Sequence, residues 1–283
     1  MQNPGVFFSV VYPKALPYLK DVRESALAQT RKDFEFLLIN DGCDSEQIVK
    51  ELRGINVTIL DSQGGFTHNR LQGINYARSH GYKYLVFCDA DDSFTLNRYE
   101  RTIDEFEESK ADIVVCNLNI ANEKCEPVLS NYFSKEIQDD RWIEAEFLNN
   151  KNIFGMSNTA LRLNSLQGEI HLPETPIVDW LLFTVLLLKG LKAKYITDSL
   201  VNYRQYSTNM IGITKYDVSS FRRLARLKSN HYRLLIEAGY NQYESISEEI
   251  MSLQSLSDME IENIVKRELA VHSQPLWWQI IKK

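Results

Sequence analysis

The sequence predicts an α/β fold: a mostly parallel, Rossmann-like central sheet flanked by helices, followed by a C-terminal helical extension. Three observations predict it. Short apolar runs rich in β-formers alternate with helically spaced segments over the first 120 residues, the pattern of strand–helix–strand units. The strongest of these runs, Tyr84-Leu85-Val86-Phe87-Cys88, is apolar throughout, as expected of a strand buried on both faces. From Tyr216 onward nearly every signal is helical.

The elements follow in order. Residues 7–11 form a β-rich run, and residues 18–29 carry Leu19, Val22, Ala26 and Leu27 at helical spacing. Residues 34–39 read as a strand closed by Asn40-Asp41-Gly42, a turn signal. Residues 45–53 read as helix and 57–60 as strand, after which Gly64-Gly65 breaks the chain. Residues 70–79 place Leu71, Ile74 and Ala77 on one helical side, and residues 84–88 are the strong strand. Residues 96–108 read as a helix with Thr95 as its cap, and 112–116 as a fifth strand. Beyond residue 120 the pattern loosens: 156–163 suggests a strand, 180–188 a buried helix and 200–206 a strand. Helices are expected over 221–237, 245–256 and 258–270, with the softest boundary near Ile213.

Composition narrows the function. The 283 residues are 44% apolar and 25% charged, an ordinary globular mix. A net charge of −6 argues against a broad nucleic-acid-binding surface. No apolar run approaches the roughly 18 residues of a membrane span, and the first residues carry no signal-peptide pattern. Cys43, Cys88, Cys116 and Cys125 are scattered without metal-ligand spacing and read as reduced thiols of a cytoplasmic protein.

In a doubly wound sheet, ligands bind beyond the carboxyl ends of the strands. Asp89-Ala90-Asp91-Asp92 stands at such an end. Side chains two apart in extended backbone point the same way, so Asp89 and Asp91 can aim at one point. Like charges this close need solvation, protonation or a cation. A hard divalent cation there takes oxygen ligands and leaves positions for phosphate oxygens. The plainer reading is an acidic turn, with Asp92 or Ser93 capping the next helix. Asp41 is a second strand-end acid, expected on a neighbouring strand and able to contact a base or ribose; Asp41-Gly42 alone is an ordinary turn. The stretch Gly64-Gly65-Phe66-Thr67-His68-Asn69-Arg70 allows close backbone approach to a ligand, and Arg70 at a helix start can reach a carboxylate or phosphate.

Taken together, "FFSVVYP", "ESALAQTRKDFEFLLINDGCDSE" and "GGFTHNRLQGINYARSHGYKYLVFCDADD" resemble family 2 glycosyltransferases of the GT-A fold in order and spacing over residues 6–117. "FGMSNTALR", "IVDWLLFTVLLLKG" and "LVNYRQYSTNMIG" extend the resemblance to residue 213. The resemblance implies a GT-A domain over 1–213, with a nucleotide-sugar-binding half (1–117) and an acceptor half (118–213), followed by a helical region over 214–283. It implies a metal-dependent, hexosyltransferase-type enzyme. Such an enzyme takes a sugar from a nucleoside-diphosphate donor and passes it, with inversion by direct displacement, to a saccharide or lipid-linked saccharide acceptor. The setting it implies is surface polysaccharide or glycolipid synthesis. Asp41 would contact the donor's base or ribose. Asp89 and Asp91 would hold ribose and a Mn²⁺ or Mg²⁺ ion bridging the diphosphate. Arg70 would orient the donor, Tyr203 and Arg204 would lie in a loop closing over the diphosphate, and Asp179 would be the catalytic base.

Two departures stand out. Pro13-Lys14-Ala15-Leu16-Pro17 replaces the family's usual turn after the first strand, and the acidic pair before the acceptor helix is Val178-Asp179. Asp179 also suits a helix cap. A catalytically degenerate nucleotide- or sugar-binding module and a sugar nucleotidyltransferase are the alternative readings; the second would want a Gly-rich basic loop where Pro13, Lys14 and Pro17 stand. In the C-terminal region, Arg222, Arg223, Arg226, Lys228 and Arg233 form either a solvated face or ion pairs to the acidic helices that follow, or else meet an anionic surface, membrane headgroups or a lipid-linked pyrophosphate. The tail carrying Trp277 and Trp278 suits an interfacial anchor or a docking segment. The protein is therefore expected on the cytoplasmic side, with peripheral attachment to the inner face of the membrane as an option.

Overall fold

A computed structural model describes residues 4–206 and 217–271. The strands are β1 (Gly5–Val11), β2 (Phe34–Asn40), β3 (Val57–Asp61), β4 (Tyr84–Phe87), β5 (Ser93–Phe94), β6 (Ile113–Ala121), β7 (Pro127–Leu129), β8 (Trp142–Ile143), β9 (Thr159–Arg162) and β10 (Ala193–Arg204). The helices are α1 (Leu19–Leu27), α2 (Ser45–Glu51), α3 (Phe66–Ser79), α4 (Arg98–Ser109), α5 (Val178–Leu188), α6 (Val218–Glu237), α7 (Glu244–Gln254) and α8 (Asp258–Val271). The sheet runs β3-β2-β1-β4-β9-β6-β10-β5, with β7 and β8 paired to β6 and β10.

Strand β1 shows why helices must cover both faces. All seven of its residues are buried, and successive side chains alternate between faces. Phe7 packs beneath α4, its ring 5.8 Å from that of Tyr99. Phe8 points the other way, toward α3, which approaches so closely that a Cβ at Gly73 would sit 2.1 Å from the Phe8 ring. Helix α5 is apolar nearly all round and fully sequestered except near its ends, as a helix between the sheet and further helices must be.

The sheet and its first helices depart from expectation in three places. The strand at 159–162 inserts between β4 and β6 and runs antiparallel to both, so the expected fifth strand is not a neighbour of β4. Strand β1 lies between β2 and β4, so Asp41 and Asp89 end strands two apart rather than adjacent ones. Thr95 does not cap α4; Asn97 stands at that position, without a side-chain cap. The Thr95 hydroxyl instead donates to the carbonyl of Leu200 and accepts from its amide.

The boundary expected near Ile213 falls outside the described residues, as do Trp277 and Trp278. Helix α6 begins at a capping box formed by Asp217 and Ser220 and shares one continuous core with the sheet domain through Phe221, Ala225, Tyr232 and Leu235. The basic run divides between the expected ion pairs, solvated positions and one buried residue. Lys228 is fully buried and donates to the carbonyl and side-chain oxygens of Asn150. Arg222 pairs with Asp258 at 2.6 Å, and Arg233 with Glu237 at 2.5 Å. Only Arg223 and Arg226 of the five are exposed without a described ion pair. Among the described residues, no helix is long and apolar enough to cross a membrane.

Candidate active site

The strand order reverses at β1, which has β2 on one side and β4 on the other. A crevice opens at the carboxyl ends of such a pair. Asp41 stands on its rim, exposed, with its amide donating to the Val11 carbonyl at 2.8 Å. The preceding Asn40 is buried and ties the turn together: its side chain accepts from the Cys43 amide at 2.8 Å and donates to the Cys43 carbonyl at 3.0 Å.

The acidic run leaves β4 at the centre of the crevice. Asp89 lies 4.0 Å from the Arg70 guanidinium, which α3 brings across from its first turns. Burial, and then the charge of Asp91, push Asp89 up to about 7. Asp91 accepts hydrogen bonds at one oxygen, Oδ2, from the hydroxyl of Tyr206 at 2.5 Å and that of Tyr12 at 3.3 Å. Asp92 is buried. One of its oxygens accepts from the Arg204 amide at 2.8 Å, and the Ser157 side chain also acts on the carboxylate as a hydrogen-bond partner. Burial raises its pKa well above the carboxylate range, with Asp91 and Asp89 adding to the effect.

This donor set fits a divalent cation in part. Three carboxylates fall within four residues, and Asp89 has one guanidinium 4.0 Å away; burial, and then the charge of Asp91, raise Asp89. Yet no group of three or more His, Cys, Asp or Glu side chains converges into a metal cage among the described residues. Asp89 and Asp91 can supply one or two oxygens, so a ligand's phosphates must complete the shell, as is usual for Mg²⁺-type sites.

Asp179 enters from the other half of the chain, in the first turn of α5. Burial pushes it up to about 6, against the stabilising amide of Trp180 and the charge of Arg70. Fully buried Asn152 donates to its Oδ2 at 3.3 Å. Arg70, 4.0 Å from Asp89, also acts on Asp179, so the base candidate and the acidic run lie about the same guanidinium. Val178 beside Asp179 is 5% exposed within the core. Tyr203 also faces the crevice. Burial raises its pKa well above 10, and Asp92, Asp89, Asp91 and Asp179 all push the same way.

Arg204 is corrected by the structure. Its side chain is 1% exposed and pairs with Asp21 at 2.5 Å. It also donates to the carbonyls of Asp91 and Glu123 and lies 4.4 Å over the Tyr18 ring. The guanidinium therefore holds the acidic loop from behind rather than facing a diphosphate. Its role was misread because Asp21 lies 183 positions away in sequence.

Sequence reasoning did not single out Tyr12, Tyr206, Asn152 or Glu174. Tyr12 follows β1 directly, and a polar aromatic at a strand end in this architecture is a usable signal. The other three act through partners far along the chain, for which no local signal exists.

Comparison with known proteins agrees with the fold. Residues 9–161 match the family described as Glycosyl transferase family 2. An uncharacterized glycosyltransferase, EpsJ of Bacillus subtilis, is 33% identical over 106 residues, 35% of this chain and 30% of that protein. Glycosyltransferase GlyG of Streptococcus pneumoniae is 24% identical over 243 residues, covering 78% of this chain and 77% of GlyG. The match thus spans under a third of EpsJ, and 20% of a Rickettsia felis relative, but most of GlyG. Among solved structures, Staphylococcus aureus TarS 1–349 with UDP-GlcNAc superposes with a TM-score of 0.56 at 14% identity, over 81% of this chain and 66% of that one. The mannosyltransferase PcManGT of Pyrobaculum calidifontis, with GDP-Man and Mn²⁺, gives 0.57 at 14% identity, over 95% and 75%. At this identity the structures speak to the fold, which is GT-A. With the match running from β1 through β9, the chain belongs to glycosyltransferase family 2.

Proposed function

We propose that the protein transfers a sugar from a nucleoside-diphosphate sugar to an acceptor hydroxyl, with Asp179 as the base and the Asp89–Asp91 run at the leaving group. One observation carries this reading: Arg70 stands 4.0 Å from Asp89 at the end of β4, and its charge also bears on Asp179 at the start of α5, so acids from both halves of the chain gather about one guanidinium. Asp41 on its rim suits a ribose or base, and Arg70 suits the donor's charged side. Mn²⁺ or Mg²⁺, held by Asp91 and Asp89 with the diphosphate, would neutralise charge on the departing nucleotide.

The chain's own groups account for the rest. Asp179, raised to about 6 by burial, is ionised at neutral pH yet basic enough to take the acceptor's proton. Asn152 fixes its orientation. Tyr12 and Tyr206 steer Asp91 by donating to one of its oxygens. Direct displacement with inversion is the course that the resemblance to family 2 glycosyltransferases implies. We assign the acceptor to the saccharide or lipid-linked saccharide class, in surface polysaccharide or glycolipid synthesis.

Turnover of a nucleotide-sugar panel in Mn²⁺, alongside calorimetric binding of UDP and GDP, tests the reading. Release of nucleoside diphosphate from at least one donor is expected. Binding without turnover of any donor would favour a catalytically degenerate module.

A further inference from the structure

Helix α3 carries Arg70 into the crevice, yet it starts badly. Its N-cap is Gly65, which offers no side-chain oxygen to the first amides. Those amides are orphan donors that need partners. Glu174, from the segment leading into α5, supplies them. Its carboxylate accepts from the Phe66 amide at 2.5 Å and from the Thr67 amide at 3.2 and 3.1 Å. A negative charge there also meets the favourable end of the helix dipole.

Neighbouring bonds turn this cap into a splice. The Thr67 hydroxyl donates to the Pro173 carbonyl at 3.1 Å and accepts from the Thr175 amide at 3.1 Å. At the other end of α3, Arg78 donates to the carbonyls of Gly168 and Leu166 at 2.7 and 2.8 Å. The segment 166–175 is thus stitched along α3 at both ends, and α5 with Asp179 begins three residues later. Gly65 is needed for the approach. It has φ +80°, and a Cβ there would lie 2.6 Å from the Glu174 carboxylate.

We propose that Glu174 is a positioning residue: by capping α3 from the segment before α5, it sets Asp179 relative to Arg70 and the acids ending β4. The proposal rests on the reading of Asp179 as the base. Glu174 is itself exposed and touches none of the acids in the described contacts. Its effect is on alignment, where a misplacement of about 1 Å can cost on the order of a hundredfold in rate.

The test uses the full chain and two readouts. In Glu174→Ala, amide hydrogen exchange should quicken in residues 64–70 and 170–181 together and stay unchanged in β1 and β4. Glu174→Gln, which keeps one acceptor oxygen, should fall between Ala and wild type. Nucleotide-sugar turnover in Mn²⁺ should show kcat lowered by about tenfold in Glu174→Ala, with KM for the nucleotide sugar within about twofold and partial rescue in Glu174→Gln. Unchanged exchange in either segment overturns the clamp. Quickened exchange with unchanged kcat, or a loss confined to KM, overturns the positioning role. If wild type turns over no donor, the transfer reading fails by itself, and the exchange result still decides the clamp.

Discussion

The two ends of the crevice are built differently. The acids after β4 hang from the sheet: Phe8 accepts from the Cys88 amide at 2.9 Å, and Arg204 braces the loop from behind through the carbonyl of Asp91. Asp179 hangs from packing. It starts a helix whose lead-in segment is fastened to α3, and its one described side-chain donor is Asn152. A sheet edge is fixed by backbone pairing that neighbours enforce, whereas a docked segment is only as well placed as its few long-range bonds. The donor end should therefore tolerate distant change, and the acceptor end should respond to it.

The largest effect should come from removing the base. Asp179→Asn is expected to lower turnover by roughly 10² to 10⁴ while nucleotide affinity stays within about twofold; near-normal turnover would remove Asp179 from the mechanism. Next, Arg204→Met leaves Asp21 and two carbonyls without their buried donor and should cost about 3 kcal/mol in urea unfolding. A cost near zero would mean the guanidinium is not the brace described here. Gly73→Ala presses a methyl into the Phe8 ring and should cost about 1–3 kcal/mol by overpacking, read as a lowered Tm. The smallest effect is on pH. Burial disfavours ionised Asp179, so its pKa is raised to about 6. Asp89, raised to about 7, and then Asp179 take up protons as pH falls, so turnover should fall as pH drops from 7 through 6 and level off above. A flat profile from pH 5 to 8 would argue against this base.

What the sequence made legible follows the same division. Strands β1, β2 and β4, the helices between them and the acidic run were readable because each is specified within about a dozen residues by periodicity and turn chemistry. Strand β9 was readable as a strand, but its antiparallel place between β4 and β6 was not, since that pairing depends on a crossover that no local pattern encodes. Thr95 was misread as a cap because its hydroxyl belongs to Leu200, 105 positions away. Arg204 read as a phosphate contact for the same reason. Lys228 joined a supposed basic face because helical spacing does not show that Asn150 waits beneath it. In each case a tertiary partner overrode the local expectation.

The central claim is a divided site, in which Asp91 serves the nucleotide and Asp179 serves the acceptor. Titration calorimetry of nucleoside diphosphates with and without Mn²⁺, on wild type, Asp91→Ala and Asp179→Asn in parallel, tests it most directly. Asp91→Ala should lose at least about tenfold, or 1.4 kcal/mol, of Mn²⁺-dependent affinity, and Asp179→Asn should bind as wild type does. Equal affinity for all three proteins, or a loss in Asp179→Asn alone, would contradict the division.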